Sequence, residues 1–197
     1  MGQEYVTMVA STATSAREKI LSTAYALFTQ RGIRDVGVDE IIARAGIAKA
    51  TLYRHFPSKD DLVLAFLQQR EQLWTFATVE SEARRRGADP EGQLLAIFDV
   101  FDDWFGRDDF EACSFINVLV EMGRTHVTGR ASIQHLNTIR SVVERMAEQA
   151  SLREPAEFAK SWHILMKGSI ISATEGDRQA ALRAKAMARQ LIAAHRS

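Results

Sequence analysis

AGIAKATLYRHFPSKDDL, residues 45–62, contains the features that decide the fold. A tight turn at Gly46-Ile47-Ala48 separates two short amphipathic segments. In the second segment Leu52 and Phe56 form an apolar side, and the opposite side is cationic and hydroxylated. Two short helices joined by a tight turn, the second with a polar outer face, are typical of a DNA-binding helix-turn-helix. The stretch therefore predicts a helix whose outer face enters the major groove.

The local charge supports this interpretation although the whole chain is neutral, with 25 basic and 25 acidic side chains. Ser15 to Lys59 contains eight Lys or Arg and four acids, and residues 47–59 contain no acid. DNA binding depends on local positive charge and not on the total. The candidate contacts on the second helix are Lys49, Thr51, Tyr53, Arg54 and His55. Taken alone, Arg54 could be an ordinary solvated residue and Tyr53 a half-buried core residue.

Helical periodicity dominates the rest of the chain, and we expect an all-α fold of about nine helices. Ser15 with Glu18, and Ser58 at the start of a long fourth helix, indicate capping boxes. Prolines at 90 and 155 suit the first residues of the fifth and eighth helices. The predicted organisation is a flexible N-terminus (1–14), a three-helix helix-turn-helix domain (15–60) and a C-terminal ligand-binding and dimerisation domain (61–197).

Composition and motifs exclude several classes of protein. The chain is 46% hydrophobic and 25% charged, which is ordinary for a globular protein, and its single cysteine rules out a disulfide framework. No segment approaches the roughly 18 apolar residues of a membrane span, and the N-terminus does not read as a signal peptide. We expect a cytoplasmic protein without a membrane partner. No catalytic, metal-ligating or phosphate-binding motif occurs, so neither an enzyme nor a cofactor or metal site is predicted.

Together with REKILSTAYALFTQRG (17–32), the stretch at 45–62 resembles the N-terminal domain of the TetR/AcrR family of transcriptional regulators. The resemblance implies that Lys49, Ala50 and Thr51 approach base edges. It also implies that Tyr53 and His55 contact phosphates and that Lys59 clamps the DNA backbone.

Two positions depart from the family pattern, because Gly37 and Ala48 stand where Ser or Thr is common before the second and third helices. Each change removes a side-chain cap, which puts the local helix stability and the operator sequence in doubt.

The aromatic residues of the C-terminal part could form either a ligand pocket or an ordinary core. The resemblance favours a pocket among helices four to eight, and a small, largely apolar effector fits such a lining. The candidate effector contacts are Phe101, Trp104, Phe105, Cys113, Asn117, Trp162, His163 and Met166. Cys113 could sense oxidants, or it could be a small buried hydrophobe. Glu121, another polar residue in this region, could orient a ligand or be a semi-exposed structural residue.

Apolar and small residues near 155–174 and 177–194 indicate self-association, with Gly168 and Ser169 allowing close approach of a partner helix. The resemblance implies a four-helix bundle between two copies, which would read an inverted-repeat operator in double-stranded DNA. The predicted function is a homodimeric repressor released by a small effector. The alternatives are a helical enzyme or small-molecule binding protein with a structural N-terminal head, and a regulator without a small ligand.

Overall fold

The computed structural model describes residues 15–196, so the predicted flexible segment 1–14 lies outside the described residues. Within 15–196 the chain forms nine helices and no strand, which confirms the predicted all-α class. They are α1 (Ala16–Arg31), α2 (Val38–Ala45), α3 (Lys49–His55), α4 (residues 59–86), α5 (Pro90–Phe105), α6 (Ser114–Met122), α7 (Val127–Gln149), α8 (Pro155–Thr174) and α9 (Ala180–His195).

The helix starts follow the predicted chemistry. Ser15 Oγ accepts a hydrogen bond from the Glu18 N–H at 3.2 Å, and the Glu18 carboxylate accepts from the Ser15 N–H at 2.8 Å. Ser58 and Asp61 repeat this reciprocal arrangement at the start of α4, at 3.1 and 3.0 Å. These capping boxes satisfy amide groups that the first helical turn leaves without partners. Two of the three prolines begin α5 and α8, where a missing N–H costs nothing.

The N-terminal head, defined as α1 to α3, shares its core with the rest of the molecule, which we call the body. Leu52 and Phe56 of α3 are buried against α1. The same cluster includes Phe66 of α4 and Phe115 and Val118 of α6. The head therefore shares one buried core with both α4 and α6.

A second buried cluster joins α5, α7, α8 and α9 to the end of α4. Trp162 of α8 is fully buried, with its ring centroid 5.2 Å from those of both Phe98 and Phe158. Trp104 lies 4.4 Å from Trp74 of α4, measured between ring centroids. These aromatic residues fix the position of α4 on the body.

Helix α4 is continuous but changes its winding. Lys59–Arg70 and Ser81–Arg86 are α-helical, and Glu71–Glu80 between them is π-helical. The wider turns bury Thr75 and Val79 and leave Leu73 half exposed. Segments of this kind are rare and frequently occur at functional sites. Here the segment lines the candidate effector site described below.

Candidate functional sites

Helix α3 presents a polar face to solvent from a buried apolar base. Leu52 is fully buried and Phe56 nearly so, which fixes the rotation of the helix. The Tyr53 side chain is 41% exposed and is not a core residue. Of the predicted contacts, the exposed ones are Lys49, Ala50, Tyr53 and Arg54, and Thr51 and His55 are partly exposed. The structure thus brings these six residues together on one short helix.

The turn before α3 needs a glycine. Gly46 has φ +63° and ψ +42°, the left-handed conformation that other residues adopt at a cost. Neither Gly37 nor Ala48 supplies a side-chain cap, so α2 and α3 depend on packing for their stability. Lys49 makes an exposed ion pair with Asp39 at 3.3 Å. Such pairs are worth little, so Lys49 can exchange this partner for DNA.

Lys59 is placed differently from its predicted role as a phosphate clamp. Its ammonium donates a hydrogen bond of 2.6 Å to the Ile33 carbonyl in the turn between α1 and α2. Burial lowers the pKa of Lys59, and the charges of Glu121 and Asp60 oppose that fall. The side chain is therefore directed into the protein and ties the start of α4 to the head.

Glu121, near the end of α6, holds the same turn from the other side. One of its carboxylate oxygens accepts hydrogen bonds from the Ile33 N–H at 2.7 Å and the Arg34 N–H at 2.9 Å. Gly32 makes this approach possible, because a Cβ atom there would lie 2.3 Å from the other oxygen of Glu121. Glu121 is thus a structural link between body and head, and not a residue facing a ligand cavity.

The candidate effector site is a small internal cavity between α4, α6, α7 and α8. Its volume is about 30 Å³. That is room for a water molecule but far less than the roughly 300–1,000 Å³ of ligand pockets. The lining residues are Trp74, Thr75, Val79, Phe101, Cys113, Ile116, Leu136, Ile139, His163, Met166, Lys167 and Ile170.

The structure brings together half of the predicted effector contacts. Phe101, Cys113, His163 and Met166 line the internal cavity. Trp104, Phe105 and Trp162 instead pack against other aromatic rings in the core, and Asn117 is partly exposed and does not line the cavity.

Two polar groups in the cavity wall have no hydrogen-bond partner within the described residues. They are Oγ1 of Thr75 and Nδ1 of His163, both in side chains that are about 3% exposed. Burial, with smaller contributions from the charges of Lys167 and Arg140, lowers the pKa of His163 to about 3, so the ring is neutral near pH 7. Unsatisfied buried polar groups are costly, and a ligand with a donor or an acceptor would satisfy them.

Burial raises the pKa of the Cys113 thiol, which opposes formation of the reactive thiolate. This environment favours Cys113 as a small hydrophobe in the cavity wall.

Sequence reasoning missed the contribution of α4 to this cavity. Trp74 and Thr75 line the cavity from the π-helical segment of α4, and no sequence motif predicts that winding. Lys167 was also missed; it lies one turn after His163 on α8, and this spacing could have identified it.

Within residues 15–196, no cluster of three or more His, Cys, Asp or Glu side chains is arranged to hold a metal ion. None of the helices described is long and apolar enough to cross a membrane.

Comparisons with known proteins agree with this geometry. Residues 20–66 match the family model described as bacterial regulatory proteins, tetR family. The chain is 36% identical over 92 residues to the HTH-type transcriptional activator FasR of Mycolicibacterium smegmatis. The matched segment covers 47% of this chain and 41% of FasR. It is 40% identical over 65 residues to the HTH-type transcriptional regulator RutR of Escherichia coli. That segment covers 32% of this chain and 31% of RutR. The chain thus spans less than half the length of these curated relatives.

The structural likeness extends over the body as well. The crystal structure of a TetR-family transcriptional regulator from Streptomyces coelicolor matches with a TM-score of 0.81 and 28% identity, covering 91% of this chain and 95% of that one. The head and the helical body therefore occur together, in this arrangement, in a solved regulator.

Proposed function

Because this chain belongs to the TetR family of bacterial transcriptional regulators, we propose that it represses transcription as a cytoplasmic homodimer on an inverted-repeat operator and is released by a small, largely apolar effector. The observation that carries the proposal is α3, a polar and cationic helix held by buried Leu52 and Phe56. Its relatives are regulators and not enzymes, so the alternative of a helical enzyme is rejected.

We assign the DNA contacts on α3 by their position and chemistry. Lys49, Ala50 and Thr51, in the first turn, approach base edges and specify the sequence. Tyr53, Arg54 and His55 contact the phosphate backbone, which positions the helix without reading bases. We give Lys59 an indirect role, because its ammonium is already bonded to the carbonyl of the turn after α1.

We propose that the dimer forms through α8 and α9. Ile164 of α8 is 69% exposed and Met187 of α9 is 61% exposed, and both line an open groove between these helices. Gly168 lies in the groove, and apart from its own helix backbone and chain neighbours no atom of the described residues comes within 4 Å of the place where its Cβ would be. Exposed apolar side chains around an open small residue favour close packing with a second copy.

The effector acts by shifting a population. The internal cavity is closed at about 30 Å³, so binding of a ligand must move the walls, which include α4 and α6. Both helices pack on the head, and the two α3 helices of a dimer fit DNA only at a spacing of about 34–36 Å or a multiple of it. A ligand that prefers the altered spacing weakens DNA binding by its differential affinity for the two states. FasR is named as a transcriptional activator. A transcription assay with and without this protein distinguishes repression from activation.

The DNA assignment is tested on sequences that the wild-type protein selects from a random DNA pool. We expect Lys49→Ala to change the preferred sequence and Tyr53→Ala to weaken all sequences alike. Arg54→Ala should lower the slope of log affinity against log salt by about 0.9 per protomer, and Lys59→Ala should leave the slope unchanged. Arg145→Ala, an exposed change on α7, is the matched control. If Lys49→Ala, Tyr53→Ala and Arg54→Ala all bound like this control, or if Lys59→Ala lowered the slope, the assignment would be refuted.

The effector site is tested with Phe101→Leu, which keeps an apolar side chain in the cavity wall. Truncation to Ala would cost roughly 3–5 kcal/mol of stability and confuse the result. We expect the variant to keep wild-type affinity for the selected DNA and to lose its response to compounds that release the wild-type protein. A folded variant with an unchanged response places the effector elsewhere.

A further inference from the structure

A second and larger cavity lies at the junction of head and body. This junction cleft is open to solvent and has a volume of about 430 Å³. That size suits a small ligand, whereas the internal cavity suits a water molecule. The lining residues come from α1, α4, α5 and the loop after α5: Tyr25, Ala26, Thr29, Gln30, Arg70, Leu73, Trp74, Thr78, Trp104, Arg107, Asp109 and Glu111.

Arg70 is the cation of the cleft with unused hydrogen-bonding capacity. Its Nη1 donates to the Tyr25 hydroxyl at 2.8 Å, and its guanidinium carbon lies 5.0 Å from the centroid of the Trp74 ring. Among the described residues no carboxylate lies within 4.0 Å of its nitrogens. A guanidinium held by aromatic rings, with donors left over, is pre-organised to bind a carboxylate through two parallel hydrogen bonds.

The other cation of the cleft is already occupied. Arg107 donates to both oxygens of Asp109, at 2.6 and 2.7 Å. Burial raises the pKa of Glu111, and the charge of Arg70 opposes that rise. With two arginines and two acids the cleft is formally neutral. The acids at its rim would repel a doubly charged phosphate more than a single carboxylate.

Part of the remaining wall is aromatic, and Thr29, Gln30 and Thr78 also line the cleft. Trp74 and Trp104 meet with ring centroids 4.4 Å apart, and both line the cleft. Leu73 adds a half-exposed apolar side chain next to them. The two ring planes are inclined by 51°, so a planar apolar group can lie against one of the rings while its carboxylate reaches Arg70.

We propose that the junction cleft binds a small aromatic monocarboxylate, with Arg70 as its anchor and Trp74 and Trp104 as its apolar wall. The ligand would touch α1 of the head and α4 of the body together, and so it would restrain the angle between them. This regulatory consequence rests on the proposed function, whereas the binding itself does not.

The probe is benzoate, and benzamide is its neutral isostere. We expect calorimetry on the full chain to give at least about tenfold tighter binding of benzoate than of benzamide, with a change in tryptophan fluorescence. Arg70→Met should abolish this preference, and Arg107→Met, which removes an occupied arginine, should keep it. Thermal unfolding of each variant establishes that it is folded.

A second variant tests the cleft without touching Arg70. Ala26 is exposed on α1 and lines the cleft, so Ala26→Trp should fill it and block benzoate. Ser22→Trp, an exposed change one turn earlier on α1 and outside the lining, should not. Equal affinities for benzoate and benzamide, no benzoate binding at millimolar concentration, or wild-type binding by Arg70→Met would each overturn the proposal. Because this assay contains no DNA, its failure is distinct from failure of the proposed regulatory function.

Discussion

Removing the carboxylate of Glu121 should loosen the head from the body. In the wild type this carboxylate accepts two backbone hydrogen bonds, at 2.7 Å from Ile33 and 2.9 Å from Arg34. Ile33 is only 2% exposed, so water cannot easily replace the carboxylate at its N–H, whereas Arg34 is exposed. A buried donor that loses a charged acceptor costs about 1.5–3 kcal/mol, and an exposed one costs less. We therefore expect Glu121→Ala to lower the free energy of unfolding by about 2–3 kcal/mol.

Urea unfolding measures this change, and amide hydrogen exchange locates it. The Ile33 and Arg34 amides should exchange faster in Glu121→Ala, while amides within α8 should not. Glu121→Gln keeps an oxygen acceptor without the charge and should lose about 1 kcal/mol. Glu148→Ala, an exposed glutamate on α7, is the matched control. An unfolding midpoint and exchange rates at residues 33 and 34 equal to those of this control would refute the link.

Three further predictions follow from backbone conformation, burial and surface. Gly32→Ala should destabilise the protein more than Gly46→Ala in urea unfolding. Both glycines have positive φ, but of the two only Gly32 faces a side chain within 4 Å of an added Cβ. Equal losses of unfolding free energy would contradict this prediction. His163 is neutral when folded and gains a proton when unfolded below about pH 6.5, so stability should fall as pH drops from 6.5 towards 3. The loss should be about 3 kcal/mol near pH 4 and absent in His163→Gln; parallel pH profiles would disprove it. Gly168→Leu should give monomers in sedimentation, whereas the control Val120→Glu, on the exposed surface of α6, should stay dimeric. If Gly168→Leu were dimeric, the interface would not include Gly168.

The sequence was sufficient to predict features that depend on local chemistry. The capping boxes at Ser15 and Ser58, the proline starts of α5 and α8 and the glycine turn at Gly46 each involve residues a few positions apart. Their physical causes act within one turn of the chain. For the same reason the polar face of α3 could be identified before its environment was known.

Features that depend on distant residues were not predictable in this way. Glu121 is 88 positions from Ile33, and Lys59 is 26 positions from it. A lysine after a DNA-binding helix suggests a phosphate contact, whereas its hydrogen bond to the Ile33 carbonyl depends on a residue that is distant in sequence. The cavity wall from α4 depends on the π-helical winding at Glu71–Glu80, for which the sequence has no marker. Of the aromatic residues predicted to line a pocket, Phe105 and Trp162 pack against other rings in the core and line neither cavity.

The contacts between head and body determine how an effector signal can travel. If the head packed on α4 alone, its position would depend on that helix only. Its core also contains Phe115 and Val118 of α6, so its position depends on α6 as well. Helix α6 begins beside Cys113 in the cavity wall and, at Glu121, reaches the turn after α1. At about 1.5 Å per residue, its nine residues span roughly 13 Å. This short helix therefore connects the cavity wall to the turn after α1. A ligand that displaces the α6 side of the cavity would therefore act on the head directly. In the dimer that we propose, α4 and α6 would move together when the spacing of the two α3 helices changes.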